Sequence, residues 1–252
     1  MASLGELVDY TNMLLAIERF QDYCPNGLQV EGQPEVSLLV SGVTACQALI
    51  DAAIAAGADA VLVHHGYFWK GEDPCITGMK HRRLQRLLGA QVSLLAYHLP
   101  LDAHPELGNN AQLGRVLGLE THGVLGGEDG TGLLYYAHPE LAIPAQELVA
   151  RIGGALGRQP LHIAGAQDPI RSIGWCTGAA QSWIESAARH GLDAFISGEI
   201  SEQTVHIARE CGIHYFAAGH HATERFGVQA LGKHLAERFS IEHRYLEIDN
   251  PV

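Results

Sequence analysis

Histidine stands out among the residues able to do chemistry, with 15 in 252 residues against 16 Lys plus Arg. The first group is V-L-V-H-H-G, where His64 and His65 end an apolar run. Adjacent residues leaving a strand point in different directions, so this pair suits two neighbouring metal ions rather than chelation of one. The second is Y-H-L-P-L-D (97–102), in which Pro100 is expected to hold the turn extended and bring Asp102 round. The third is S-G-E (197–199), and the fourth is A-G-H-H-A-T-E (218–224). In the last, a helix beginning near His220 puts His220 and Glu224 on one face. The candidate ligands are therefore His64, His65, Asp102, His220 and Glu224. Three imidazoles and two carboxylates exceed one tetrahedral zinc site and suit two metals bridged by a carboxylate and a water. Nitrogen and oxygen donors without thiolate fit Zn²⁺, Mn²⁺, Fe²⁺ or Ni²⁺, and the sequence does not choose among them.

These residues need elements to position them. VSLLVSG (36–42), DAVLVHHG (59–66) and QVSLLAYH (91–98) read as strands, separated by the helices ACQALIDAAIAAGA (45–58) and KHRRLQRLLGA (80–90). Strands alternating with helices of this length imply β-α-β units, hence an α/β fold with mainly parallel sheets covered on both faces. All four polar groups then fall at the carboxyl ends of strands, where open α/β sheets bind ligands. A repeat supports two related halves: GADAVLVHH (57–65) aligns with GLDAFISGE (191–199), LVSG (39–42) with WCTG (175–178), and SLLAYH (93–98) with YFAAGH (215–220). The halves are expected to meet at GVLGGEDGTG (123–132). That gives a first α/β domain over 1–127 and a second over 128–252, with the C-terminal helix and strand, about 220–252, a candidate to pack back on the first. In the second half LLYYAH (133–138) and PLHIAG (160–165) read as strands around a helix opened by Pro144.

Composition narrows the function classes. A net charge of −12 argues against a general binder of nucleic acid or anionic membrane, although Arg82, Arg83 and Arg86 form one local basic helix face. The five cysteines are scattered without a C-x-x-C pair, which argues against a disulfide framework and fits a reducing cytosol. The start, MASLGELVDYTNMLLAIERF, reads as an amphipathic helix rather than a signal peptide, and no apolar run is long enough to span a bilayer. A soluble, cytoplasmic protein is the expectation.

Five motifs together are more specific. DYCPNGLQVEG (22–32), VLVHHGYFWKG (61–71), AYHLPLDAHPELGNN (96–110), SGEISE (197–202) and GHHATERFGV (219–228) resemble the Nif-three-like family of dinuclear-metal proteins, most of all its short bacterial YbgI type. Members of that family carry the name GTP cyclohydrolase I type 2 homologue. The resemblance runs in family order from residue 22 to 228 and implies a two-domain α/β subunit with a dinuclear metal centre between the domains. It implies the same five ligands, two divalent ions per subunit, and a toroidal homohexamer built as a trimer of dimers. His221 stands where many relatives have an aromatic residue beside the ligand histidine. Some relatives carry a mid-chain insertion for which this chain has no room.

Other residues take supporting readings. Glu199 aligns with His65 in the repeat and is a candidate base outside the metal ligands, as is His98, four residues before Asp102. Asn26-Gly27 reads as a turn or as lining the site, and Asn109 and Asn110 as a helix cap. His104, His206 and His214 read as surface or near-site residues, and Tyr67, Phe68 and Trp69 as packing residues or a pocket wall. Two functions follow. One is a metal-dependent hydrolase, in which a metal-activated water attacks a nucleotide-like or other small substrate, with GTP cyclohydrolase-like chemistry compatible and Glu199 and His98 moving protons. The other is a non-catalytic metal-binding ring, a scaffold or regulatory interaction protein. No phosphate-cradling G-x-x-x-x-G-K-[ST] loop is present, so nucleotide specificity is not written in the chain.

Overall fold

The computed structural model describes residues 1–127 and 131–252; residues 128–130, within the expected glycine-rich junction, lie outside the described residues. The chain forms two compact units, Met1–Gly108 with Gly227–Asp249, and Asn109–Phe226 with Asn250–Val252. Among the described residues no helix is long and apolar enough to cross a membrane.

The first unit contains β1 (Ala2–Ser3), β2 (Gly27–Val30), β3 (Glu35–Val36), β4 (Leu38–Thr44), β5 (Ala60–His65), β6 (Ser93–Ala96) and, last in the chain, β13 (Glu242–Tyr245). Its five-stranded sheet has the order β13-β4-β5-β6-β2, parallel except for β2, which runs antiparallel on β6. The central strands are buried along nearly their whole length because both sheet faces are covered. Val40, Val61, Val63 and Leu94 pack on one side with Leu49, Ile50, Leu84 and Leu87. Leu39, Leu62 and Leu95 pack on the other with Leu7, Val228, Leu231 and Leu235. The last three residues lie on the helix His220–Phe239 and are fully buried, each contributing roughly 1.5–3 kcal/mol by the area rule.

The second unit contains β7 (Gly123–Leu125), β8 (Leu134–Ala137), β9 (Leu161–Ile163), β10 (Ile173–Cys176), β11 (Ala194–Ser197) and β12 (His214–Ala217), in the order β7-β8-β10-β11-β12-β9. Here β10, β11 and β12 are parallel and the flanking strands antiparallel. Trp175, Ile196 and Phe216 pack with Leu113, Leu148 and Ile152. Phe195 and Tyr215 pack with Ile184, Ala187 and Ala208. The helix Ala145–Leu156 begins directly after Pro144, whose missing N–H has no partner to lose at that position.

The first unit thus holds four adjacent parallel strands and the second three, and one device recurs in both. The Asp59 carboxylate accepts the backbone N–H groups of Ser37 (2.7 Å) and Leu38 (2.9 Å), pinning the start of β4. Asp193 accepts those of Arg171 (2.8 Å) and Ser172 (3.0 Å), pinning the start of β10. Leu39 lies opposite Ala60, and Ile173 lies opposite Ala194. Leu39 therefore corresponds to Ile173, so the expected pairing of LVSG with WCTG is displaced by two residues. Ser93 lies opposite Ala60 and His214 opposite Ala194, which displaces the third match by one. Short runs of small and apolar residues fit several alignments, whereas the hydrogen-bond ladder permits one.

Candidate metal-binding residues

In the first unit β5 delivers His64 and His65 to its carboxyl end, their ring centroids 4.5 Å apart. His64 is fully buried, and its Nδ1 lies 2.9 Å from the Tyr97 carbonyl oxygen. A carbonyl only accepts, so Nδ1 carries the hydrogen and Nε2 is the nitrogen with a lone pair. Asp102 Oδ1 lies 3.5 Å from that Nε2. His65 Nδ1 is 3.2 Å from the Thr44 hydroxyl, a residue at the end of the neighbouring strand. His64, His65 and His98 offer ligand atoms within 4.8 Å of one another, a grouping that could hold a metal ion.

The turn that carries Asp102 differs from expectation. Residues Leu99–Ala103 form a short helix with Pro100 in its first turn, where no proline N–H is needed, and the Asp102 N–H donates to the His98 carbonyl at 3.1 Å. The Leu99 N–H donates to Asp22 at 2.9 Å, placing a carboxylate at the start of the turn and overriding the extended preference before proline. His98 and Asp102 are thus one helical turn apart.

Sequence reasoning passed over Asp22. Its side chain is 3 % exposed and accepts from His98 Nδ1 (2.7 Å), Tyr23 N–H (2.6 Å), Asn26 Nδ2 (2.8 Å) and Leu99 N–H. Burial pushes this carboxyl up, but the bond and charge of His98 and the Asn26 and Leu99 donors outweigh it and hold the group below the usual carboxylate range. Its traces in the sequence are its place at the head of the motif DYCPNGLQVEG and its position four residues before Asn26-Gly27, a common turn pattern. Asn26 also accepts the His98 backbone N–H at 2.7 Å, so it supports this cluster. Cys24 lies beside Asp22 and His98, and burial and the Asp22 charge push its thiol up to about 12, so without a metal it is a neutral thiol at pH 7.

In the second unit three predicted residues come together. The strand β12 ends in Ala218-Gly219, Gly219 takes φ +102°, and the helix starts at His220 itself. His220 Nδ1 donates to Glu199 Oε1 at 2.7 Å, and its Nε2 lies 3.0 Å from Glu224 Oε2. Burial alone would lower the His220 pKa; the hydrogen bonds and charges of Glu224 and Glu199 outweigh it and raise it to about 9. Glu224 is 3 % exposed and fits beside Gly178, where φ is +67° and a Cβ would overlap Glu224 Oε1. The Gly178 turn is itself tied down: its N–H donates to the Thr223 hydroxyl at 3.1 Å and its carbonyl accepts from Ser197 Oγ at 3.1 Å.

Most of the supporting residues have structural partners. Asn110 is fully buried and, beyond opening a helix, accepts the Thr177 N–H at 3.0 Å, while its carbonyl accepts from Trp175 Nε1 at 2.9 Å. His214 is buried rather than at the surface, 3.0 Å from His162 and stacked on that ring. His206 is exposed beside Glu202, and His104 Nδ1 accepts the Leu107 N–H at 3.0 Å. Tyr67 is buried with its hydroxyl donating to the Ala45 carbonyl, Phe68 is exposed, and the Trp69 ring stands edge-on to His98 with the centroids 5.0 Å apart. His221 is buried, and its N–H donates to the Val252 carbonyl at 3.0 Å.

The donor chemistry in each unit fits divalent ions: imidazoles whose far nitrogens are held by a carbonyl or a carboxylate, next to a second carboxylate. Comparison with known proteins agrees on kinship. A protein of Pseudomonas aeruginosa named GTP cyclohydrolase 1 type 2 homolog is 57 % identical over 252 residues, 99 % of each chain. One of the same name from Escherichia coli K12 is 50 % identical over 98 % of each chain. A solved structure described as protein ybgI, unknown function, superposes with TM-score 0.95 at 49 % identity, covering 99 % of this chain and 100 % of that one. The protein TTHA1606 of Thermus thermophilus superposes with TM-score 0.89 at 35 % identity, over 99 % of this chain and 100 % of the other. The family described as Duf34/NIF3 (NGG1p interacting factor 3) matches residues 2–251, and the chain belongs to that family.

Proposed function

We propose that the protein is a metal-dependent hydrolase that holds two divalent ions with His64, His65, Asp102, His220 and Glu224 and acts on a nucleotide-like or other small substrate. The observation that carries this reading is the arrangement of the histidines. His64 is oriented by the Tyr97 carbonyl and His220 by Glu199, and each turns its other nitrogen toward a buried carboxylate. That pattern is how proteins present neutral imidazole to a metal. Divalent ions would supply the charge that acidifies a water and polarises a substrate oxygen. The protein's own residues would do the rest: Glu199 keeps His220 in place and, with His98, handles protons. The name that relatives carry, GTP cyclohydrolase 1 type 2 homolog, supports a hydrolytic reaction of this general kind.

The test is metal analysis of the purified protein joined to a panel of nucleotides and phosphoesters, with His64→Ala and Glu224→Ala beside the wild type. Two ions per chain and metal-dependent turnover lost in both variants are the expected result. Two ions with no turnover of any substrate would favour a non-catalytic metal-binding scaffold. Less than one ion after reconstitution would remove the two-metal reading.

A further inference from the structure

Asp22, Cys24 and His98 offer ligand atoms within 4.8 Å of one another, but Asp22 is already engaged by donors of the protein itself. Its carboxylate oxygens accept four hydrogen bonds, two of them from backbone N–H groups and one from an amide that also holds the His98 backbone. An ionised carboxylate has about four lone-pair sites and donates nothing, so this cage is saturated and the His98 contact has one polarity. Nδ1 of His98 must carry a hydrogen. The neutral ring then has its lone pair on Nε2, while the imidazole sits 5.0 Å from the His64 ring and 5.8 Å from the His65 ring, centroid to centroid. The edge of Trp69 closes another side of the same ring. A surface ion pair would not be built this way: the Asp22 side chain is 3 % exposed and that of His98 15 %.

We infer that Asp22 is a positioning residue: with Asn26 it fixes the orientation and Nδ1–H tautomer of His98, so that Nε2 is held as a hydrogen acceptor beside His64 and His65. The inference rests on the hydrolase reading for what His98 does, but not for the tautomer itself. In a hydrolysis His98 Nε2 would accept a proton from the attacking water as the water oxygen bonds to the substrate and return it to the departing group, leaving the ring unchanged. A side chain at position 22 that can donate to the ring, or that no longer holds it, removes that acceptor without replacing any of the five proposed metal ligands.

The experiment has two arms. The first is ¹⁵N NMR of histidine side chains in metal-free protein, with His98→Gln used to assign the resonance. The wild type is expected to show a protonated Nδ1 and an unprotonated Nε2 at His98 in the neutral ring, and Asp22→Asn to populate the opposite tautomer. A wild-type ring protonated on Nε2 overturns the proposal whether or not any substrate is known. The second arm measures metal content and turnover of a substrate found by the panel above. Asp22→Asn is expected to keep its metal and its KM and to lose turnover by about 10²-fold or more. The Asp22→Asn/His98→Gln double variant should be no slower than His98→Gln alone, because the two residues act as one unit. Additive losses would overturn the proposal, as would loss of metal from His98→Gln, which would make His98 a ligand. A protein with the expected tautomer but no turnover of any substrate would refute the hydrolase and leave the positioning role established.

Discussion

The charge state of His220 offers the sharpest quantitative test. Its ring sits between Glu199 and Glu224 with its side chain 26 % exposed, and the two carboxylates raise its pKa from 6.5 to about 9. Between those values the folded metal-free protein binds a proton that the unfolded chain releases. The stabilisation is therefore complete below pH 6.5 and is lost as pH rises through about 9. At roughly 1.4 kcal/mol per pH unit, the displacement is worth about 3 kcal/mol as an order of magnitude. Burial lowers the pKa of His104, His162 and His243, so their contributions change below pH 6.5. The Cys24 thiol, raised from 9.0 to about 12, matters only at higher pH. Urea unfolding of chelator-treated protein at half-unit steps from pH 6.5 to 9 should show stability falling by about 1 kcal/mol per unit on average, most steeply in the middle of the range. The His220→Gln variant should lack that slope. Equal slopes in the two proteins would refute the assignment, and side-chain NMR titration of His220 checks it directly. The same proton must leave when a metal takes Nε2, so metal binding near pH 7 should release protons, and less so in His220→Gln.

Two further perturbations address the frame of the site. Gly178→Ala places a Cβ against Glu224 Oε1 at a φ that side chains avoid; it should cost about 1–3 kcal/mol, reduce metal content and move the His220 titration back toward 6.5, all measurable on the purified variant. Asp59→Ala and Asp193→Ala each strand two backbone N–H groups at the start of a strand and should cost roughly 1–3 kcal/mol in urea unfolding; a neutral result would show that the clamp is incidental.

The strands bearing the chemistry were legible because burial on both faces writes them as unbroken apolar runs, and a polar residue after such a run marks the carboxyl end. His220 and Glu224 were legible for a similar local reason: a four-residue spacing at a glycine turn has one helical reading, and the helix begins at His220. What escaped was set by distant partners. Asp22 reaches its histidine across 76 positions, and no periodicity links them. Strand β2 went unread, with only Asn26-Gly27 marked as a turn or as lining the site, because β2 lies at a sheet edge and owes its form to pairing with β6. The repeat was visible through Asp59 and Asp193, but its flanking strands slid by one or two residues because small apolar tetrapeptides match in several registers. Pro100 misled for the opposite reason, since the preference against helix before proline yields to the Asp22 carboxylate at the Leu99 N–H.

The paired aspartates also bear on how such a protein can change. In both units the aspartate anchors the amino end of the sheet, and the residues that differ, His64-His65 in one and Gly198-Glu199 in the other, lie at the opposite end. Foldability and reactivity are thus written at separate ends of one short segment. Substitutions at the exit can accumulate without loosening the anchor, so two copies of one plan can specialise, one presenting imidazoles and the other a carboxylate. A laboratory exchange of exit residues between the copies would be an economical route to altered metal preference on an unchanged frame.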